Sequence, residues 1–489
     1  MEEKATRFSY VYQNLKERIL TGQLQPGSRL SSSRKLCQEY QVGIRTINEV
    51  LDALKKEGLI KVEPRKAPVI CQKGTVLEPE AAVLAVLAAE DDVRQVYQTM
   101  TLLLPQLLTF SSWNCPVEEL PYYKKAMKVD RMGLEVGGWR AVSGLFQDVL
   151  HHSGNPLFAD VYSAIELHGR ANFFIEDQYP FTGLTLRTTS PMVTELIAML
   201  KGPDPVQKYR KLTAMYENLA SQVDSSLHLL RSSFPDCPTG GGSCFEWNPV
   251  RGRDHYYTRI VRDLVNKIGS GAYKPGSYLP READLAKEYG VSVFTVRNAL
   301  AQLGRLGFGK TYNVKGTMVT IPNDSTVLCT LQNQASKQDT LLYIYALHFL
   351  SLAIGPSARL AAPLFTAEEI KELVHRFKDS AAIPLGDIYD LLLNHLQLEP
   401  LRTIFSELRR LVQWGYYFAF YRIKSGNIDK LNKKALEALQ SLQNSDVSGF
   451  ADGLSECYCL ILDTVRQFVV EKYDLREALN LRIPKIVRS

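Results

Sequence analysis

The sequence predicts a mainly α fold arranged as a tandem duplication, in which two small modules of helices with a β-hairpin each precede an all-α helical bundle. Three observations carry this expectation. A nine-residue phrase occurs twice, GQLQPGSRL at 22–30 and GAYKPGSYL at 271–279, and the match runs without a gap for about sixty residues. It pairs Leu15 with Leu264, Ile19 with Ile268, Leu36 with Leu285, Tyr40 with Tyr289, Val42 with Val291, Thr46 with Thr295, Leu54 with Leu303 and Gly58 with Gly307, a constant offset of 249. Self-similarity at a fixed offset marks one module used twice. Most of the remaining chain has apolar residues at helical spacing, and basic charge gathers in the repeated segments.

In the first copy, Phe8, Val11, Tyr12, Leu15 and Ile19 fall on one helical face, so a first amphipathic helix ends near Gly22. Pro26-Gly27 is a turn signal, and Ser31 to Ser33 offer hydroxyl caps to a short second helix ending at Tyr40. Gln41 to Gly43 make a tight turn. A third helix from about Ile44 to Glu57 turns Ile47, Val50, Leu51 and Leu54 inward and stops at Gly58, which suits a left-handed C-terminal cap. LIKVE and PVICQ alternate as two strands around Pro64-Arg65-Lys66-Ala67, a basic wing. The second copy repeats the pattern with VSVFTVRNALAQLGRLGFGK for the turn and third helix and Tyr312 to Gly316 at the wing tip. This is the order of a winged helix-turn-helix, whose third helix presents its first residues to the major groove.

Residues 1–75 hold 14 Lys and Arg against 8 Asp and Glu, and residues 251–322 hold 12 against 5. The modules thus carry +6 and +7 in a chain of net charge +6, leaving −7 for the remainder. Positive charge confined to the modules is the footprint of a phosphate-binding surface.

The phrases G-x-L-x-P-G-x-x-L and V-S-x-x-T-V-R-x-A-L-x-x-L-x-x-x-G resemble the DNA-binding domain of GntR-type bacterial transcription regulators. The second copy keeps Pro280, Glu282, Leu285, Ala286, Val291, Ser292, Thr295, Val296, Arg297, Ala299, Leu300, Leu303, Gly307 and Gly316 of the family pattern, and departs at Arg281 and Ala283, where Ser and Arg are usual. The first copy keeps Arg34, Leu36, Val42, Thr46 and Gly58, but has Ser31, Ser33, Gly43, Asn48 and Ala67 where Pro, Glu, Ser, Arg and Gly are usual. Each copy therefore lacks one arginine that the resemblance implies for DNA contact and keeps the other, Arg34 in the first and Arg297 in the second. Arg45 can stand in part for what Asn48 lacks, since a bidentate guanidinium on guanine is the commonest specific contact. The candidate DNA contacts are Arg34, Arg45, Thr46, Arg65 and Lys66, then Arg281, Glu282, Ser292, Thr295, Arg297, Lys315 and Gly316. Two unequal half-sites are expected, with decay of one copy into a scaffold as the competing reading.

The helical segments are duplicated more loosely. Glu118-Glu119 corresponds to Glu368-Glu369, and Asn155-Pro156-Leu157 to Glu399-Pro400-Leu401. Around SGNPLF and EEIKEL these segments resemble the FCD ligand-sensing domain that accompanies many GntR-type regulators. In metal-binding members of that group an Asp and three His line the bundle. The matching positions here are Ser143 and Gln147, then Gly386 and Asp390, so no metal site and no cofactor are expected. His151 and His152 are adjacent and diverge by about 100° on a helix. A small-molecule effector is expected to bind by apolar packing and hydrogen bonds, with Tyr97, His152, Tyr345 and His348 as candidates by their position on apolar helices.

The domains expected are a winged helix at 1–75, a helical FCD-like domain at 76–233, a Pro- and Gly-rich linker at 234–253, a second winged helix at 254–322 and a second helical domain at 323–489. The apolar run Leu341 to Gly355 is too short for a comfortable membrane span, and MEEKATRFSY lacks an apolar signal region. Eight cysteines without zinc or disulfide spacing point to a reduced, cytoplasmic setting. The helical segments lack G-x-G-x-x-G, G-x-S-x-G and H-E-x-x-H, so no catalytic residues are expected. The expected partners are a double-stranded DNA operator and a small effector, with the two halves forming an intramolecular pseudo-dimer open to further self-association. The competing function is a protein-interaction regulator whose modules have lost DNA reading.

Overall fold

The computed structural model describes residues 7–71, 84–132, 138–173, 193–240, 245–249, 256–321, 334–378, 385–413, 415 and 426–485, except 21–23, 25–26, 41, 64–65, 85, 239 and 270. Gly22, Pro26, Gln41, Arg65 and, within the expected linker, 239, 241–244 and 250–253 lie outside the described residues. The described chain is mainly helical, with two antiparallel strand pairs. It forms two compact units. The first is Met1–His152 with Phe158–Arg253 and Leu398–Thr403, the second Ser153–Leu157 with Asp254–Gln397 and Ile404–Ser489.

In the first unit, α1 (Arg7–Leu20) and α2 (Ser33–Tyr40) pack on α3 (Ile44–Lys56). Val11, Leu15, Leu36, Ile47, Val50 and Leu54 meet in a closed core, as their spacing requires. The Ser32 hydroxyl accepts the Lys35 N–H at 3.3 Å at the start of α2. Gly58, at φ 73°, ends α3. Leu59 N–H reaches the Leu54 carbonyl at 3.0 Å and Gly58 N–H the Lys55 carbonyl at 2.9 Å, the paired bonds of a Schellman cap.

The wing of this copy is shorter than its sequence predicts. Only β1 (Ile60–Lys61) and β2 (Val69–Ile70) pair, against five-residue runs expected on each side. The chain already turns at Glu63, whose carbonyl accepts from Lys66 N–H at 3.2 Å, and Pro68 faces the other side, its carbonyl accepting from Leu30 N–H at 2.8 Å.

The helical part of the unit contains α4 (Glu90–Ser111), α5 (Tyr123–Met132), α6 (Gly138–His151), α7 (Pro156–Phe173, from Phe158 onward), α8 (Val193–Lys201) and α9 (Pro205–Ser233). Its main seam is α4 against α9. Val93, Val96, Met100, Leu103 and Leu107 are buried on α4, and Arg94 to Asp224 at 2.7 Å and Arg231 to Glu90 at 3.1 Å brace the seam. Lys208 is only 3% exposed, yet its ammonium donates to the Leu200 carbonyl at 2.7 Å and to Ser112 Oγ at 2.9 Å. It thereby occupies the C-terminal ends of α8 and α4, where helix carbonyls lack partners and the dipole favours a cation.

In the second unit the module recurs as α10 (Tyr256–Gly269), α11 (Glu282–Glu288), α12 (Val293–Arg305), β3 (Gly309–Tyr312) and β4 (Gly316–Val319). The repeat holds at the level of single bonds. Tyr40 OH donates to Asn14 Oδ1 at 2.6 Å in the first copy, and Tyr289 OH to Asp263 Oδ2 at 2.6 Å in the second. Gly307, at φ 84°, closes α12 as Gly58 closes α3. The second wing is longer, pairing Gly309 with Val319 through Tyr312 with Gly316. At its tip Val314 is fully exposed at φ 70°. A β-branched residue there bears about 1–2 kcal/mol of left-handed strain. Val314→Gly is therefore expected to raise the stability of this unit by about 1 kcal/mol, checked by denaturant unfolding; an unchanged or lower midpoint would refute it.

The bundle of this unit contains α13 (Gln334–Ala361), α14 (Ala367–Lys378), α15 (Leu385–His395), α16 (Glu399–Val412, from Ile404 onward), α17 (Gly426–Gln443) and α18 (Val447–Tyr473). Helix α13 packs chiefly on α18. The segment Lys337–Leu364 is 28 residues long and contains an 18-residue window of mean hydropathy 1.5, long and apolar enough to cross a membrane, where the run 341–355 alone was expected to be too short. The difference arises because the helix extends beyond that run at both ends. Within the protein, 83% of the apolar window is buried, as in a core helix.

Candidate nucleic-acid interface

The N-terminal end of α12 is built from the turn upward. Ser292 caps the helix, accepting the Thr295 N–H at 3.2 Å, with its hydroxyl 2.8 Å from Thr295 Oγ1. Val296, Ala299 and Leu303 face the module core, which leaves Ser292, Val293, Phe294 and Arg297 exposed. The Arg297 guanidinium donates from Nε to Glu282 Oε2 at 2.7 Å. Both side chains are solvent-exposed, 64% and 37%, so the pair adds little stability. Its consequence is orientation: Glu282, first residue of α11, holds Arg297 with its outer nitrogens presented to solvent. Arg281 precedes α11 and is exposed, and Lys315 and Gly316 stand exposed at the wing, the glycine at φ 93°. These seven expected contacts belong to one module.

The first module presents a different set. Gly43 stands at the N-cap of α3 and supplies no side-chain bond. Arg45 is 91% exposed and pairs with Glu49 one turn on at 2.9 Å. Arg34 and Asn48 are exposed and Thr46 is half-buried, while Lys66 is paired with Glu63 at 2.8 Å. Ser33 and Asn48 occupy the positions of Glu282 and Arg297, so this module has no counterpart of the carboxylate-held arginine.

Sequence reasoning overlooked two features here. It placed Glu282 and Arg297 side by side as separate contacts and did not foresee that the two pair at 2.7 Å. It also passed over Ile44, Val293 and Phe294, which are 53%, 36% and 70% exposed. Their signal was legible: they fall on the outward side of the periodic pattern that buries Ile47 and Val296.

The expected effector residues fall in both units. Tyr97 is buried on α4 in the first unit, and His152 is exposed beyond the end of α6. Ser143 donates to Glu166 at 2.6 Å and Gln147 to Ser163 at 3.4 Å, while Asp390 forms a two-toothed ion pair with Arg409 at 2.6 and 2.8 Å. Among the described residues no three His, Cys, Asp or Glu side chains are grouped to hold one metal ion. In the second unit His348 is fully buried and Tyr345 half-buried. The segment Ser153–Leu157 belongs to that unit. Asn155 Oδ1 caps α7 by accepting from Leu157 N–H at 3.0 Å, and Pro156 stands at the first helical position. Its amide Nδ2 donates to the Tyr345 carbonyl at 2.8 Å and lies 3.4 Å from His348 Nδ1. Burial, with Arg482 and Arg466 adding to it, pushes the His348 pKa down to about 3.

Comparison with known proteins matches the profile of "Bacterial regulatory proteins, gntR family" to residues 9–70 and again to 256–319. The chain carries two GntR-family domains. Each match covers one winged-helix module from its first helix through its wing. Among similar curated proteins, an uncharacterized HTH-type transcriptional regulator of Mycobacterium tuberculosis, Rv0494, is 31% identical over 24% of this chain and 48% of its own length. The HTH-type transcriptional repressor NanR of Klebsiella aerogenes is 26% identical over 32% of this chain and 62% of its own length. The histidine utilization repressor of Pseudomonas aeruginosa is 24% identical over 27% and 55%. This chain thus spans about half the length of the curated relatives it matches. Of solved structures, E. coli McbR/YncC aligns over 44% of this chain and 99% of its own, with 17% identity and a TM-score of 0.22.

Proposed function

We propose that the protein is a sequence-specific DNA-binding transcription regulator of the cytoplasm, in which one polypeptide supplies both reading modules. The observation that carries this reading is the pair of GntR domains in a single chain, each with an exposed third-helix N-terminus and a clustering of positive charge. Homodimeric regulators of this geometry bind near-palindromes, because a two-fold axis relates their readers. Covalent duplication holds the second reader at high local concentration and frees the halves to diverge. The unlike sets around Arg297 and Arg45 are what such divergence produces. The helical bundles act as sensors, binding a small metabolite whose differential affinity for two states changes DNA affinity. The role is binding, not catalysis.

A mobility shift with genomic fragments at two salt concentrations tests the reading. Retention at low salt with a steep loss at high salt is expected of phosphate contacts, and no retention of any fragment would favour a protein-interaction role instead. Analytical ultracentrifugation of the complex is expected to show one polypeptide per operator; an obligatory second chain would overturn the pseudo-dimer. Effector response, measured by calorimetry, is expected to survive exhaustive chelation. A response lost on chelation and restored by zinc or nickel would place a metal site in the bundles.

A further inference from the structure

The third helices of the two modules begin alike and then part company. Ile44 and Val293 are equivalent, both apolar and both exposed, but the next position is Arg45 in the first module and Phe294 in the second. Phe294 is 70% exposed, an unusual state for a large aromatic in the absence of a partner. It lies on the first turn of α12, two residues after the Ser292 cap and three before Arg297, and residues three apart on a helix are surface neighbours. The partner it faces is therefore the one Arg297 is held out to meet.

Resting on the DNA-binding reading above, we propose that Phe294 is a specificity residue that packs on the C5-methyl group of a thymine in the major groove. At the corresponding position of the other half-site, Arg45 donates to guanine. The major-groove edges of the bases separate these choices: thymine offers an apolar methyl, guanine two acceptors at N7 and O6. An exposed phenyl ring can make no hydrogen bond and gains only from apolar contact, whereas the Arg45 guanidinium, 91% exposed, has donors to spend. The operator is then asymmetric at this base pair, thymine in one arm and guanine in the other. The apolar neighbours Ile44 and Val293 serve both arms in the same way.

The test uses the full-length protein and synthetic duplexes selected by it from a random-sequence pool. In the selected duplex each thymine is replaced singly by deoxyuridine, which removes the methyl group and leaves every hydrogen-bonding atom in place. At one thymine, in the arm whose base preference depends on Arg297, the replacement is expected to weaken binding roughly four-fold, the value of one buried methyl. Phe294→Ala is expected to bind the thymine duplex several-fold more weakly and to be indifferent to that replacement. Because the side chain is exposed, its thermal unfolding should match that of the parent. Phe294→Arg is expected to shift the preference at that base pair toward guanine, making the two arms alike. A selected duplex with Arg297-dependent preference but no methyl-sensitive thymine, or with equal sensitivity in Phe294→Ala, overturns this inference and leaves the DNA-binding reading standing. Failure to enrich any sequence overturns both.

Discussion

Replacing Arg297 by alanine is expected to cost about 1–3 kcal/mol of DNA-binding free energy and to relax base preference in one half-site only. The guanidinium is exposed at the N-terminal part of α12 and fixed by Glu282 at 2.7 Å, so its ordering is settled before DNA arrives. Glu282→Gln should weaken binding less than Arg297→Ala, since it loosens the guanidinium without removing it. Arg34→Ala is expected to relax the other half-site. Lys315→Ala, at the wing, should instead weaken all sequences alike and reduce the salt slope by about one. Binding curves over single-base variants of a selected duplex check the whole set. If Arg297→Ala and Arg34→Ala relaxed the same base pairs, assigning one half-site to each module would be wrong.

Acidification from pH 6.5 to 5 is expected to remove about 2 kcal/mol of stability from the second unit through His348 alone. The folded unit holds this imidazole neutral, with its pKa pushed from 6.5 to about 3, chiefly by burial. Below 6.5 the unfolded chain takes up a proton that the folded one refuses. The contribution is therefore intact above that value and lost progressively as pH falls toward 3. The buried neighbours Asn155 and the Tyr345 carbonyl are uncharged, and the nearby cations Arg466 and Arg482 oppose protonation further. Urea unfolding of the parent and of His348→Leu at several pH values checks this. The difference between the two should shrink as pH falls; a constant difference would show that His348 titrates normally in the fold.

The two modules were legible in the sequence because their determinants are local. Helical spacing chose which side chains turn inward, from Leu15 to Leu54 and from Leu264 to Leu303, and two glycines supplied the left-handed caps. The offset of 249 doubled every such signal. The family arginines could likewise be located one by one, since each lies at a fixed distance from a helix start. Wing length was less legible: alternation predicted two long strands in the first copy, but a turn that starts at Glu63 left two short ones.

Other features depended on residues far apart in the chain. That Glu282 aims Arg297 rests on the turn bringing two helices together, and that Asn155 meets Tyr345 and His348 spans 190 and 193 residues of sequence. Lys208 at the ends of two helices, and the placing of Ser153–Leu157 in the second unit and Leu398–Thr403 in the first, carry no periodic signature at all. Periodicity along a chain specifies which face of an element is apolar and where the element stops. It holds no information on which other element will cover that face, because burial is won equally against any complementary partner, and only the folded arrangement selects one.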